Sequence, residues 1–135
     1  MIIDFHTHIF PPFLKKHRED YLARDTTLAT LFGNSKAPMA TAEELITAMD
    51  TAEVDKAIVL GIGWSDHELA QQANDYLLES AALYPYRLVP FCSVNPAWGD
   101  AALRETERCA RLGARGVGEL HPDTQGFKLS SREVM

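Results

Sequence analysis

The chain is poor in cysteine and carries no excess of basic charge. Cys92 and Cys109 are its two cysteines, and they stand outside any C-x-x-C spacing, which excludes a disulfide framework and a zinc ribbon. One in an apolar strand and one in a helical pattern, they read as buried free thiols of a reducing, cytoplasmic compartment. The formal net charge of −6 argues against a nucleic-acid backbone as partner. The densest basic stretch, Lys15-Lys16-His17-Arg18, runs straight into Glu19 and Asp20 and reads as a solvated helix face. Apolar runs near the ~18 residues of a membrane span are missing, so no membrane partner is expected. Met1-Ile2-Ile3 lacks the basic start of a secretory signal. A dinucleotide fingerprint is missing too: Gly61-Ile62-Gly63 follows a strand, but Asp66 stands where the third glycine belongs.

What is present is a rhythm. Four apolar runs of strand length, Ile2–Phe5, Ala57–Ile62, Leu88–Val94 and Ala114–Leu120, do not alternate cleanly with polar residues. They are expected to be buried on both faces, as in a parallel sheet. Helical patterns separate them. Thr41-Ala42-Glu43-Glu44 and Ser65-Asp66-His67-Glu68 have the spacing of capping boxes. A third helix should begin at Asp100 and stop at Gly113, and Ser130-Ser131-Arg132-Glu133 announces a fourth. Residues 11–40 form a long insertion after the first strand, with Pro11, Pro12, Gly33, Asn34 and Pro38 and room for a short helix. The order β-α-β-α-β-α-β, one α/β domain over residues 1–135, fits an open doubly wound sheet or a (β/α)8 barrel.

The chemistry gathers at two strand ends. His6 and His8 are two residues apart, so the pleat sends both imidazoles to one face, with Asp4 one step below. Two neutral imidazoles on a rigid strand are what a divalent metal needs from a scaffold. Zinc is the first expectation, with manganese and iron compatible with the same donors. Glu119 ends an otherwise apolar fourth run, where a carboxylate is costly unless paired or metal-bound. It could join His6 and His8 at one ion, or pair with Arg115 or Arg87. By period two, Glu119 and His121 share a face. His121, just before Pro122, is either a turn residue or a substrate contact.

Ile3-Asp4-Phe5-His6-Thr7-His8 resembles the first-strand signature of the amidohydrolase superfamily. Val54–Leu60, Arg87–Phe91 with Val94-Asn95-Pro96, and Gly113–Phe127 with Gly-Val-Gly-Glu-Leu-His-Pro resemble the second to fourth strands of the branch that includes aminocarboxymuconate semialdehyde decarboxylase. The resemblance implies the first half of a (β/α)8 barrel, four parallel strands with intervening helices. It implies a metal held by His6 and His8, with Glu119 matching the strand-four glutamate of TatD-type hydrolases. It also implies a small-molecule substrate beside the loops of Phe10 and Trp64 and near His121. The expected activity is metal-dependent hydrolysis; the alternatives are decarboxylation of the same branch, or an inactive half-barrel serving as an assembly module. The family's later histidine ligands and its strand-eight aspartate have no counterpart here, and no residue is assigned as catalytic acid or base. The exposed strand edges of such a half-barrel would be covered by the rest of a longer chain or by a second copy.

Overall fold

The computed structural model describes residues 1–130 and 132. Four strands, β1 (Ile3–His8), β2 (Lys56–Leu60), β3 (Leu88–Cys92) and β4 (Gly116–Val117), form one parallel sheet in the order β1-β2-β3-β4. Strands laid down in sequence order have no switch point at which the order reverses, which separates this sheet from the doubly wound type. The chain is half of a (β/α)8 barrel.

The helices between strands cover one face. α4 (Ala42–Thr51) and α5 (His67–Leu83) bring Ala42, Met49 and Leu77 against Ala57, Val59 and Leu88 of β2 and β3. α6 (Asp100–Arg111) adds Cys109, which packs with Cys92 and Leu78. Both cysteines are buried and free. The Thr41 box forms as expected: Thr41 Oγ1 accepts from the Glu44 N–H, and Glu44 accepts in return. At α5 the cap is one residue later than the sequence suggested. Asp66 accepts from the Leu69 N–H, while Ser65 Oγ accepts from the Thr26 N–H of the insertion. The Ser130–Glu133 signal lies partly outside the described residues. Among the described residues, no helix is long and apolar enough to cross a membrane.

Three sequence expectations need correction. The insertion holds three short helices, α1 (Pro12–Lys16), α2 (Arg18–Leu22) and α3 (Thr26–Phe32), rather than one. Burial on both faces holds only for β2; β1 and β4 are edges, and Phe5 is 72% and Val117 47% exposed. The fourth strand is two residues long because the chain leaves β3 at Val117. The Gly118 N–H still reaches the Cys92 carbonyl, but the Glu119 N–H donates to Gly61 at the end of β2. Gly116 has no side chain to keep the Phe91 ring away; a Cβ there would lie 2.6 Å from it.

Buried polar groups tie the loops at the C-terminal rim of the sheet. Asp25, 1% exposed, accepts from Leu28 to cap α3 and from the Ser65 and Asp66 N–H groups, fastening the insertion to the loop after β2. Gln125 of α7 (Pro122–Gln125) donates to the Trp64 and Val94 carbonyls and accepts from the His121 N–H. Asn74 of α5 exchanges hydrogen bonds with the Ser93 backbone and donates to Glu105.

Glu105, in contact with Asn74, is held well below the ordinary carboxylate range. Burial favours its neutral form, but hydrogen bonds from Arg108, Asn74, Gln71 and Cys109 outweigh that and hold it at about 2. A carboxylate depressed from an ordinary value of 4.5 contributes stability that is complete above 4.5 and lost as pH falls towards 2. Urea unfolding across this window should show a loss of about 3 kcal/mol in the wild type relative to Glu105→Gln. Parallel acid profiles for the two proteins would contradict the assignment.

Candidate metal centre

β1 is not a plain strand. Asp4 pairs with Ala57 and Thr7 with Val59, so β1 spends three steps where β2 spends two, a bulge between Asp4 and Thr7. Asp4 therefore does not sit one regular pleat below His6; its Oδ1 accepts the His6 N–H at 3.1 Å. Beyond the bulge, Thr7 Oγ1 donates to the Ile58 carbonyl and pins the strand end to β2. Both histidines lie within β1 rather than beyond its end.

Three side chains converge on the rim. His6 Nε2 is 3.0 Å from His8 Nε2 and 3.0 Å from Glu119 Oε2, and His8 Nε2 is 3.3 Å from the same oxygen. Glu119 arrives by the crossing described above: its backbone is hydrogen-bonded to Gly61, next to the end of β2 that flanks β1. The alternative pairing with Arg87 does not occur, because Arg87 bonds Asp50 and the carbonyls of Val54 and Asp55.

The protons of this group are constrained. His8 Nδ1 faces the Leu60 carbonyl at 3.2 Å, an acceptor, so that nitrogen carries the hydrogen and the neutral ring presents a bare Nε2. Burial pushes His8 below the ordinary imidazole value, against the Leu60 carbonyl and Glu119, which favour the charged ring. A bare nitrogen then faces a carboxylate oxygen, and both are acceptors. Ligand bonds of about 2.1 Å separate donor atoms by ~3.0 Å at right angles and by ~3.4 Å at the tetrahedral angle. The observed edges of 3.0–3.3 Å lie in that range, so the donor set fits a cation in spacing and in chemistry. Among the described residues, it is the group of His, Cys, Asp and Glu side chains whose ligand atoms come close enough together for one ion.

The other residues singled out from sequence are placed as follows. Phe10 and Trp64 lie in the core cluster under the rim, at 2% and 1% exposed, and present almost no surface. Trp64 Nε1 is buried without a hydrogen-bond partner, beside Gly61. His121 shares no strand face with Glu119, because β4 has already ended; it stands at the N-cap position of α7 without a side-chain capping bond and is half-buried. A concavity of about 740 Å³ lies among Met1, Lys56 and Arg87 at the opposite end of the sheet and contains none of the three donors. Sequence reading missed Asp25, Thr27, Asn74 and Gln125, whose partners lie far along the chain and leave no local signature.

With this geometry in place, comparison with known proteins gives consistent results. The family model described as Amidohydrolase matches residues 3–135. No curated protein matches the chain. Among solved structures, 5-carboxyvanillate decarboxylase from Novosphingobium aromaticivorans, complexed with manganese and 4-hydroxy-3-methoxy-5-nitrobenzoic acid, is 23% identical with a TM-score of 0.75; the match covers 99% of this chain and 45% of that one. A structure described as a putative amidohydrolase from Staphylococcus aureus is 26% identical with a TM-score of 0.64, over 98% of this chain and 41% of that one. A probable 2-pyrone-4,6-dicarboxylic acid hydrolase from Acinetobacter baumannii is 18% identical with a TM-score of 0.60, over 98% and 42%. The chain thus spans less than half the length of these structures.

The rim has no spare room at Gly63. A Cβ there would lie 2.7 Å from both the His121 Cβ and its backbone nitrogen. Gly63→Ala should displace the segment carrying Glu119 and His121 and lower stability by about 2 kcal/mol. Chemical denaturation checks this, and an unchanged midpoint would show that the loop gives way freely.

Proposed function

The chain belongs to the amidohydrolase family, and from that premise we propose that His6, His8 and Glu119 hold a divalent metal at a centre acting on a small-molecule substrate. The observation that carries the reading is the convergence of two imidazole nitrogens and one carboxylate oxygen within 4.8 Å, with the His8 tautomer already set by the Leu60 carbonyl. When bound, such a metal polarises a substrate oxygen or acidifies a water molecule. The residues of this chain bind and orient: β1 supplies the two rings, Leu60 fixes one of them, and Glu119 supplies the negative charge.

Hydrolysis is the first reading of the reaction, and decarboxylation is supported to a comparable degree. A decarboxylase with manganese and a protein described as a probable 2-pyrone-4,6-dicarboxylic acid hydrolase both share the fold. Manganese therefore stands beside zinc and iron as a candidate ion. His121 is proposed as a substrate contact. Phe10 and Trp64 are proposed to shape the pocket floor from below. The proposed setting is cytoplasmic, in keeping with two unpaired, buried cysteines. The exposed apolar side chains of β1 and β4, Phe5 and Val117 among them, would be covered by further strands of a longer chain or by a second copy.

Metal content after loading with manganese or zinc and exhaustive dialysis tests the site. The wild-type chain should retain about one equivalent, and a His6→Ala/His8→Ala double variant should bind ~100-fold or more weakly. Glu119→Gln should weaken binding and leave the fold intact. Equal retention by wild type and double variant would overturn the assignment.

A further inference from the structure

A chain of hydrogen bonds runs from the insertion to His121, and its direction is forced. Thr27, fully buried in α3, donates its hydroxyl hydrogen to the Gly63 carbonyl at 2.5 Å. The same oxygen is in close hydrogen-bond contact with Thr124 Oγ1. Thr124 Oγ1 in turn lies 2.9 Å from His121 Nδ1.

A hydroxyl has one hydrogen to give. That of Thr27 is committed to Gly63, whose carbonyl can only accept. The contact between the two threonines therefore needs the hydrogen of Thr124. A competing acceptor, the His121 carbonyl, is 3.3 Å from Thr124 Oγ1 and would leave two oxygens in close contact with no hydrogen between them. With both hydroxyl hydrogens placed, the remaining contact closes only if His121 Nδ1 is the donor. The neutral ring is then the Nδ1–H tautomer, and its Nε2 carries a bare lone pair. Nε2 has no hydrogen-bond partner among the described residues.

We propose that Thr27 and Thr124 are positioning residues that hold His121 in the Nδ1–H tautomer, so that Nε2 serves as a hydrogen-bond acceptor for the O–H or N–H of a ligand at the rim. The ligand part of this proposal rests on the reading of the rim as a substrate site; the tautomer does not. The buried insertion helix thereby acts on the rim, because α3 reaches across the loop after β2 and determines which ring nitrogen of His121 carries the hydrogen. A ligand offering a proton donor is favoured there over one offering only acceptors.

The tautomer can be read directly. Long-range proton–nitrogen correlation spectra of the metal-free, nitrogen-15-labelled 135-residue chain distinguish a protonated from a bare ring nitrogen, and His121→Asn identifies the signals by their loss. The expected wild-type result is a protonated Nδ1 and a bare Nε2. Thr124→Val and Thr27→Val should shift His121 towards a mixture of tautomers, while Thr27→Ser, which keeps the hydroxyl, should retain the wild-type pattern. A wild-type ring with hydrogen on Nε2 would overturn the proposal, as would a folded Thr124→Val variant with unchanged ring signals. Should the valine variants fail to fold, the wild-type and Thr27→Ser spectra still decide. The two assignments fail separately: His6→Ala/His8→Ala should lose the metal and keep the His121 tautomer, and Thr124→Val should do the reverse.

Discussion

Parallel pairing in sequence order is the constraint on which this structure depends. Because β1, β2, β3 and β4 all run the same way and neighbour one another in turn, their C-terminal ends lie on one rim, and each following loop starts there. Loops after β1, β2 and β4 can then share partners. Had the order reversed partway, the first and fourth connections would diverge. Here the Glu119 N–H reaches the Gly61 carbonyl and its side chain meets β1. The convergence of His6, His8 and Glu119 is thus a consequence of topology, carried the last few ångströms by a chain that leaves its strand early.

The rim is held by polar side chains fastened to backbone. Asp25 takes three N–H groups from two segments, Gln125 binds three segments at once, and Ser93 donates to the Ile62 carbonyl. Buried groups of this kind are worth little above water when satisfied and much more when one partner is removed. Their effect is geometric: each loop has one position relative to the others. Two imidazoles and a carboxylate within hydrogen-bond distance need that precision, since an error of about 1 Å is roughly half a metal–ligand bond.

Features with a short period or a local partner were legible in the sequence. His6 and His8 are two residues apart, so the pleat is expected to bring them together, and they meet although the bulge between Asp4 and Thr7 takes in His6. The Thr41 cap is local and was visible; the α5 cap was displaced by one residue because Ser65 is engaged by Thr26, 39 residues away. Glu119 stands out as a carboxylate in an apolar run, but its route across to Gly61 leaves no local signature. Period two holds only within a sheet, and residues 119 and 121 lie beyond β4. Thr27 and Thr124 are 97 positions apart, and neither spacing nor composition marks two threonines as partners.

Charge narrows what the proposed centre can favour. Two neutral imidazoles and one carboxylate offset only half the charge of a divalent ion, so about one positive charge would remain at the rim. Burial reinforces this by keeping His8 neutral, which preserves a donor without adding a second positive charge. A partly compensated site of this kind favours an anionic oxygen, whether hydroxide or the carboxylate of a substrate. That preference is shared by hydrolysis and decarboxylation, which is why the three ligands do not separate them. The distinction has to come from where protons are given and taken around the substrate. In the reading proposed above, His121 would enter through a bare Nε2, with the hydroxyls of Thr124 and Thr27 fixing the hydrogen on Nδ1.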